Sequence, residues 1–417
     1  MATRSHMPRR WCCLRAAVAG IAAFSGVAVA QPASVQGLGV LPSQLFSIPA
    51  TASSIGAGGG VLVGTGVAPS GVQTGLIRTG GVLTGIAPLP GANSSVVASV
   101  SEDGRVIVGF CLGGGIPRAF RRVDGVLSDL GLPPVANASF PRPVGLSADG
   151  AVIGGIVATG SGGLQTRGWR WTSQGYTLVG LLPGGTSNYI RGVSVDGGTL
   201  VGEADSFGQW LAITWDAATG TRALPSPDAG ACVARGVNGD GSVVVGTSGP
   251  TEAVRGVAWV NRAVTVLPRL ATTDATWQAT TVAAAADVIG GESGGRACLW
   301  SIGYGRVMAV EDLLASRGED LAGWRLNVVT SVSSDGTLVA GAGERLLPDG
   351  SRRSDVWMVT VPSLCLTDWN SDGGIDGGDV TAFFDAWEQG KADINLDGGT
   401  DGADIDEFFA RWERGDC

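Results

Sequence analysis

One ten-residue block recurs seven times along this chain, and that periodicity limits the folds open to it more than any other feature. The block is an apolar residue, Ser or a relative, a turn ending in Asp-Gly, an apolar run and a closing Gly. Clear copies run Val100–Gly109, Leu146–Gly155, Val193–Gly202, Val237–Gly246 and Val332–Gly341. Two copies are altered at the turn: Ile55–Gly64 carries Gly58-Gly59 there, and Val282–Gly291 carries Ala285-Ala286. The closing glycines follow one another at intervals of 45, 46, 47, 44, 45 and 50 residues. So steady a period marks a repeat architecture in which each unit must bury its apolar face on a neighbour.

Each period has room for four short strands. Asp-Gly suits the hairpin between the first two, because both residues tolerate positive φ. The third strand carries an aromatic landmark: Trp171, Trp215, Trp259, Trp300 and Trp357, with Phe120 in the second unit. The fourth runs into Leu-Pro, at Leu89-Pro90, Leu132-Pro133, Leu182-Pro183, Leu224-Pro225 and Leu267-Pro268. Four strands per period of this length is the pattern of propeller blades. The expected fold is therefore all-β, a closed seven-bladed β-propeller over residues 31–362. The seventh unit stops after its third strand, Asp355–Thr360, whereas Gly37–Ser43 reads as a fourth strand and its exit. Residues near 37–41 are thus expected to complete the last blade and close the ring, which removes exposed edges. The turn acids Asp149, Asp196, Asp240 and Asp335 lack oxygen donors at alternate positions and are read as turn formers rather than calcium ligands.

These blocks, with Ala-x-x-Trp and Leu-Pro-Gly-Gly between them, resemble the HAF-type extracellular repeat family of bacteria over residues 37–360. The segment Glu311–Trp324 is similar to that family's last-repeat insertion. The resemblance implies fold and export more than an activity.

The first 30 residues read as targeting rather than fold. Arg4, Arg9, Arg10 and Arg15 precede or open the apolar run Ala16–Ala30, which ends in Ala28-Val29-Ala30 before Gln31. That run is short for a membrane span and has the layout of a signal peptide. The Arg9-Arg10 pair leaves twin-arginine export open beside the general route. The expected location is extracellular or cell-surface, with the periplasm also open. The single histidine, His6, falls inside this segment, so the exported chain has no imidazole base or histidine ligand. Charge is uneven. Residues 365–417 carry 14 Asp or Glu against 3 Lys or Arg; with +4 in the first 30 residues and −9 overall, −2 remains for the stretch between. Nucleic-acid binding, which needs a basic face, is not indicated. Cys365 and Cys417 bracket the acidic end and form the natural disulfide pair in an oxidising compartment; Cys111, Cys232 and Cys298 are read as buried thiols.

Residues 363–417 read as a second, small helical domain. Two twelve-residue segments, Asp368–Asp379 and Asp393–Asp404, align at an offset of 25. Each sets oxygen donors at positions 1, 3, 5, 9 and 12, with Gly at position 6. They are Asp368, Asn370, Asp372, Asp376 and Asp379 in one loop, and Asp393, Asn395, Asp397, Asp401 and Asp404 in the other. Gly374 and Gly399, at position 7, would add backbone carbonyls. An all-oxygen set at this spacing suits calcium, one ion per loop. A helix is expected after each loop, at Val380–Gln389 and Ile405–Arg414, with Phe383, Phe384 and Trp387 matching Phe408, Phe409 and Trp412 on one face. A duplicated loop-and-helix with Asp at position 12 resembles a dockerin domain, and the ending Gly415-Asp416-Cys417 is similar to bacterial dockerin-like anchors that end in Gly-Cys. That resemblance implies a cohesin-like partner. The positions that help specify such partners are Gly377-Gly378 and Gly402-Ala403 here, which offer almost no side chain.

Two functions follow as expectations. The leading one is an exported, non-enzymatic propeller that binds or scaffolds, attached to an assembly or a cell-envelope component through its calcium-dependent tail. The other is a propeller enzyme acting on polysaccharide, a hydrolase or lyase working with paired carboxylates. Glu203, Asp205, Glu311, Asp312, Glu319, Asp320 and Glu344 are candidates for such a pair, and no spacing singles one out.

Overall fold

Seven four-stranded antiparallel sheets account for the strands of the computed structural model, which describes residues 35–37, 51–56, 60–67, 72–160, 165–228, 230–250, 253–285, 288–302, 306–370, 374–395, 397 and 399–414. Six sheets are each built from four consecutive strands. Blade 4 is typical, with strands Asn188–Val193, Thr199–Ser206, Gln209–Asp216 and Gly220–Ala223. Blade 7 takes three strands from residues 324–360 and its fourth from Gln36–Gly37, which pair with Met358 and Trp357. Residues 38–41 of the expected strand, like the signal segment, lie outside the described residues. Arg78 of blade 1 donates to the Gln36 side chain at 2.9 Å. Ile55, Leu62 and Leu76 of blade 1 share a core with Ala340, Val356 and Met358 of blade 7. The chain is a seven-bladed β-propeller. Among the described residues, no helix is long and apolar enough to cross a membrane.

The closing glycine of each repeat has a steric cause. In all seven blades the first strand shifts register immediately after the residue that pairs with this glycine, as between Ile190 and Gly192 opposite Gly202. The bulge pushes a first-strand carbonyl toward the second strand. A Cβ on Gly202 would lie 1.8 Å from the Tyr189 carbonyl oxygen, and on Gly246 it would lie 1.9 Å from that of Val233. Glycine alone leaves that space empty.

The Asp-Gly turns are held by side chains. In blade 3 the Ser147 hydroxyl bonds to Asp149 Oδ1 at 2.5 Å and accepts from Val152 N–H, while Asp149 also accepts from Ala151 N–H. Ser101/Asp103, Ser194/Asp196, Asn238/Asp240 and Ser333/Asp335 repeat the arrangement. Only the glycine takes positive φ, between 65° and 81° at Gly104, Gly150, Gly197, Gly241 and Gly336. The aspartate is not part of a two-residue positive-φ hairpin; its carboxylate instead folds back on the turn. Backbone bonds then link successive turns, running Glu102 to Ala148, Ala148 to Val195, Asp196 to Gly239, Gly239 to Ala284 and Ala284 to Ser334. The Ser334 hydroxyl of blade 7 donates to Glu102 of blade 2 at 2.6 Å.

The aromatic landmark proves to be two positions. Phe120, Trp169 and Trp357 pair with closing glycines, while Trp171, Trp215, Trp259 and Trp300 sit two residues further along the strand. At the second position the indole reaches the preceding blade. Trp259 donates to the Pro225 carbonyl and Trp300 to that of Pro268, at 2.7 and 2.6 Å. In blades 5 and 6 the Trp motif is thus bonded to the Leu-Pro exit of the blade before it. Cys111, Cys232 and Cys298 are buried thiols.

Three helices complete the described chain: α1, Val310–Ala315; α2, Gly377–Glu388; and α3, Gly402–Arg414. Helices α2 and α3 begin three residues before the expected starts, inside the loops, because Asp376 caps α2 in a reciprocal capping box with Asp379. One apolar cluster runs from α1 (Val310, Leu313, Leu314) through Trp324 and Trp357 of blade 7 to Leu366, Phe383 and Phe408. The helical end is thus packed on the last blade through the insertion that lengthens the sixth interval.

Candidate functional site

The C-terminal segment repeats one local design. In the first loop the Asp379 carboxylate accepts from the N–H groups of Asn370 and Asp376, at 3.1 and 2.8 Å. In the second, Asp404 accepts from Asn395 and Asp401, at 3.2 and 2.9 Å. Position 12 of each loop therefore clasps positions 3 and 9. Position 9 caps the helix in both, Asp376 accepting from Gly378 N–H and Asp401 from Ala403 N–H. Asp379 and Asp404 are fully buried and Asp368 nearly so. Behind the loops the rings of Phe383 and Phe408 stack with centroids 4.1 Å apart, and Trp369 meets both edge-on. Phe384 and Phe409 form a second pair, and Trp387 donates to the Asp401 carbonyl.

Every predicted donor except Asp372 lies among the described residues. In the second loop Asp393 accepts from Asp397 N–H, the Asn395 amide donates to Asp397, and Asp397 accepts from Gly399 N–H. In the first loop Asp372 lies outside the described residues, while Asp368, Asn370, Gly374, Asp376 and Asp379 lie within them. Among the described residues no three acidic side chains gather closely enough to hold an ion. The donor chemistry still suits a hard cation: carboxylates, an amide and backbone carbonyls, without nitrogen or sulfur ligands. Cys365 is disulfide-bonded; its expected partner, Cys417, lies outside the described residues.

Sequence reasoning missed Arg317. It follows α1 and donates to the Trp369 carbonyl at 2.8 Å. Its guanidinium lies over the Trp369 ring, and its Nε and Nη2 are buried without a hydrogen-bond partner among the described residues. Burial pushes its pKa down to about 10, against the opposing pull of Asp368 and Asp379, so it is charged at neutral pH. The long sixth interval was the available signal, since an insertion just before a second segment is a natural seat for it.

First strands of all seven blades line a central cavity of about 240 Å³, represented by Ile55, Ser99, Gly145, Arg235, Thr280 and Thr330, with Arg191 beside Arg235. Five of the seven acids considered for catalysis are engaged by neighbouring groups, and neither Glu319 nor Glu344 lines this cavity. Glu203 pairs with Arg191, and Asp205 accepts from the Thr186 and Ser187 N–H groups. Glu311 accepts from Leu326 N–H, Asp312 pairs with Arg296, and Asp320 accepts from Ala322 N–H.

No family model and no curated protein matches the chain. Among solved structures it is similar to oligogalacturonate lyase from Vibrio parahaemolyticus, at 10% identity and a TM-score of 0.53 over 79% of this chain and 94% of that one. An oligogalacturonate lyase in complex with manganese matches at 11% identity and a TM-score of 0.49, over 75% and 89%. TolB from Acinetobacter baumannii matches at 14% identity and a TM-score of 0.40, over 53% of this chain and 55% of TolB, little more than half its length. Likeness at this identity establishes the propeller fold and leaves activity to the site.

Proposed function

We propose that this chain is an exported, non-enzymatic β-propeller of HAF-type repeats that presents a binding surface outside the cytoplasm, tethered through a dockerin-like module that takes two calcium ions. One observation carries the reading: two loops 25 residues apart use the same position-12 carboxylate, Asp379 or Asp404, to clasp positions 3 and 9 ahead of a helix. A coincidence of acidic surface residues would not reproduce that geometry twice, nor bury both carboxylates.

In this reading Asp368, Asn370, Asp372, Asp376, Asp379 and the Gly374 carbonyl hold one ion; Asp393, Asn395, Asp397, Asp401, Asp404 and the Gly399 carbonyl hold the other. Bound calcium supplies positive charge that offsets the carboxylates and stiffens each loop. The chain's own residues do the rest: Asp376 and Asp401 start the helices, and Phe383 on Phe408 joins them. The partner is a cohesin-like protein or a cell-envelope component. For the polysaccharide-enzyme alternative, Glu203 is held by Arg191 and Glu102 by the Ser334 hydroxyl, so among the described residues the cavity offers no free carboxylate pair, and scaffolding is the preferred reading. The test is capture of exported proteins from the source organism on the immobilised full chain, with calcium and with chelator. A partner retained only with calcium, and lost in the double variant D368A/D393A, supports the tether. Retention indifferent to both opposes it.

A further inference from the structure

The bulge that explains the closing glycines also sets one residue of each first strand outside the regular pairing. In blades 6 and 7 that residue is Thr280 or Thr330. Thr280 uses its hydroxyl to hold the Gly290 and Val329 carbonyls. In blades 4 and 5 it is Arg191 and Arg235, between Ile190 and Gly192 and between Ala234 and Gly236. Both arginines line the central cavity. Glu203 answers Arg191 through Nε and Nη2. Arg235 makes no hydrogen bond or ion pair with any described residue, and its Nε is buried without a partner. Glu102, the other acid at this cavity, is turned to the Ser334 hydroxyl.

A partly buried guanidinium beside a second one is costly unless an anion meets it. Burial, and then Arg191, lower the Arg235 pKa, with Glu203 acting against them. The bulge itself does not require an arginine: at the same position the other blades carry Ser53, Ala98, Val144, Arg191, Thr280 and Thr330, and only Arg191 shares the guanidinium of Arg235. We propose that the central cavity is a binding site for a small, hydroxyl-bearing carboxylate, with Arg235 gripping the carboxylate and Arg191 beside it. One positive charge without a direct counter-ion matches a carboxylate monoanion, whose two oxygens meet the guanidinium fork, whereas inorganic phosphate near neutral pH is partly a dianion and lacks a carbon skeleton to fill the rest of the cavity. The hydroxyls of Ser99, Thr281 and Ser331 line the same cavity with no partner among the described residues, and they suit the hydroxyls of such a ligand. The cavity has room for a molecule of about monosaccharide size.

This site lies in the propeller and does not depend on the calcium tether. The test is calorimetry and thermal melting of the purified full chain with glucuronate, glucose and inorganic phosphate, each with calcium and with chelator. The expected result is that glucuronate binds and raises the melting temperature, glucose does not bind, phosphate binds far more weakly, and chelator changes none of this. R235Q should weaken glucuronate binding about tenfold or more. R235K, which keeps the charge but not the fork, should also weaken it and serves should R235Q fail to fold. Without ligand, R235Q should melt no lower than the unsubstituted protein. No binding of glucuronate, equal binding of glucose or phosphate, or binding unaffected by either substitution would overturn the assignment. Partner retention that proves indifferent to calcium would overturn the tether and leave this site standing.

Discussion

The Arg317 guanidinium lies 3.7 Å from the centroid of the Trp369 ring. Arg317 belongs to the insertion after blade 6, and Trp369 is the second residue of the first acidic loop. The contact therefore joins the propeller to the C-terminal segment, beside a close approach of Gly318 to Lys391. Replacing Arg317 by Ala removes a desolvated cation–π contact, a loss of about 2 kcal/mol. R317A should leave the propeller folded and speed proteolytic cleavage between residues 361 and 368. Unchanged cleavage and melting would show that the apolar cluster holds the junction unaided.

Gly202→Ala tests the steric account of the repeat. Its Cβ would sit 1.8 Å from a backbone oxygen, with the next atoms also backbone. Relief requires moving the bulge, so a cost of about 3 kcal/mol or more is expected in thermal or denaturant melts. Gly208→Ala is the comparison: nothing lies within 4 Å of its Cβ, and its penalty comes from φ of +84° alone. Equal losses in the two variants would contradict the bulge explanation.

Acid should loosen the turns. The Ser101 and Ser147 hydroxyls, first among the causes, hold the Asp103 and Asp149 carboxyls below the ordinary carboxylate range, with the Arg105 and Ala151 N–H groups assisting. A depressed folded-state pKa gives stability that is present above the unfolded value, about 3.9 for Asp, and is lost as pH falls through the folded value. The melting temperature should stay level from pH 7 to about 5 and drop below about 4. S147A should melt lower than the unsubstituted protein at pH 7, and the gap should narrow as pH falls through the lowered folded-state value and Asp149 takes up its proton. A gap independent of pH would remove the carboxylate from the explanation.

Blade count and turn positions were legible because each rests on local chemistry repeated in register: the closing glycine, the Asp-Gly turn, the Leu-Pro exit. The aromatic positions were half legible. A single Trp in a third strand does not reveal whether it faces the closing glycine, as Trp357 does, or the preceding blade, as Trp300 does, because two residues along a strand keep the same face. In the acidic loops the donor spacing was readable, and so was the partnership of Phe383 with Phe408. The earlier helix starts were not, since Gly377 and Gly402 are poor helix formers whose place is set by the caps at Asp376 and Asp401. Arg317 and Arg235 were invisible because their significance lies in what surrounds them, Trp369 in one case and Arg191 without a second acid in the other.

Calcium removal tests the tether most directly. The measurement is circular dichroism and thermal melting of the purified full chain, in calcium and then in chelator, with calcium binding followed by titration calorimetry. Two ions should bind per chain. Chelator should abolish the helical signal of α2 and α3 while the strand signal persists, calcium should restore it, and D368A/D393A should resemble the chelated protein throughout. A helical signal and melting profile unchanged by chelator, with no heat of calcium binding, would contradict the proposal.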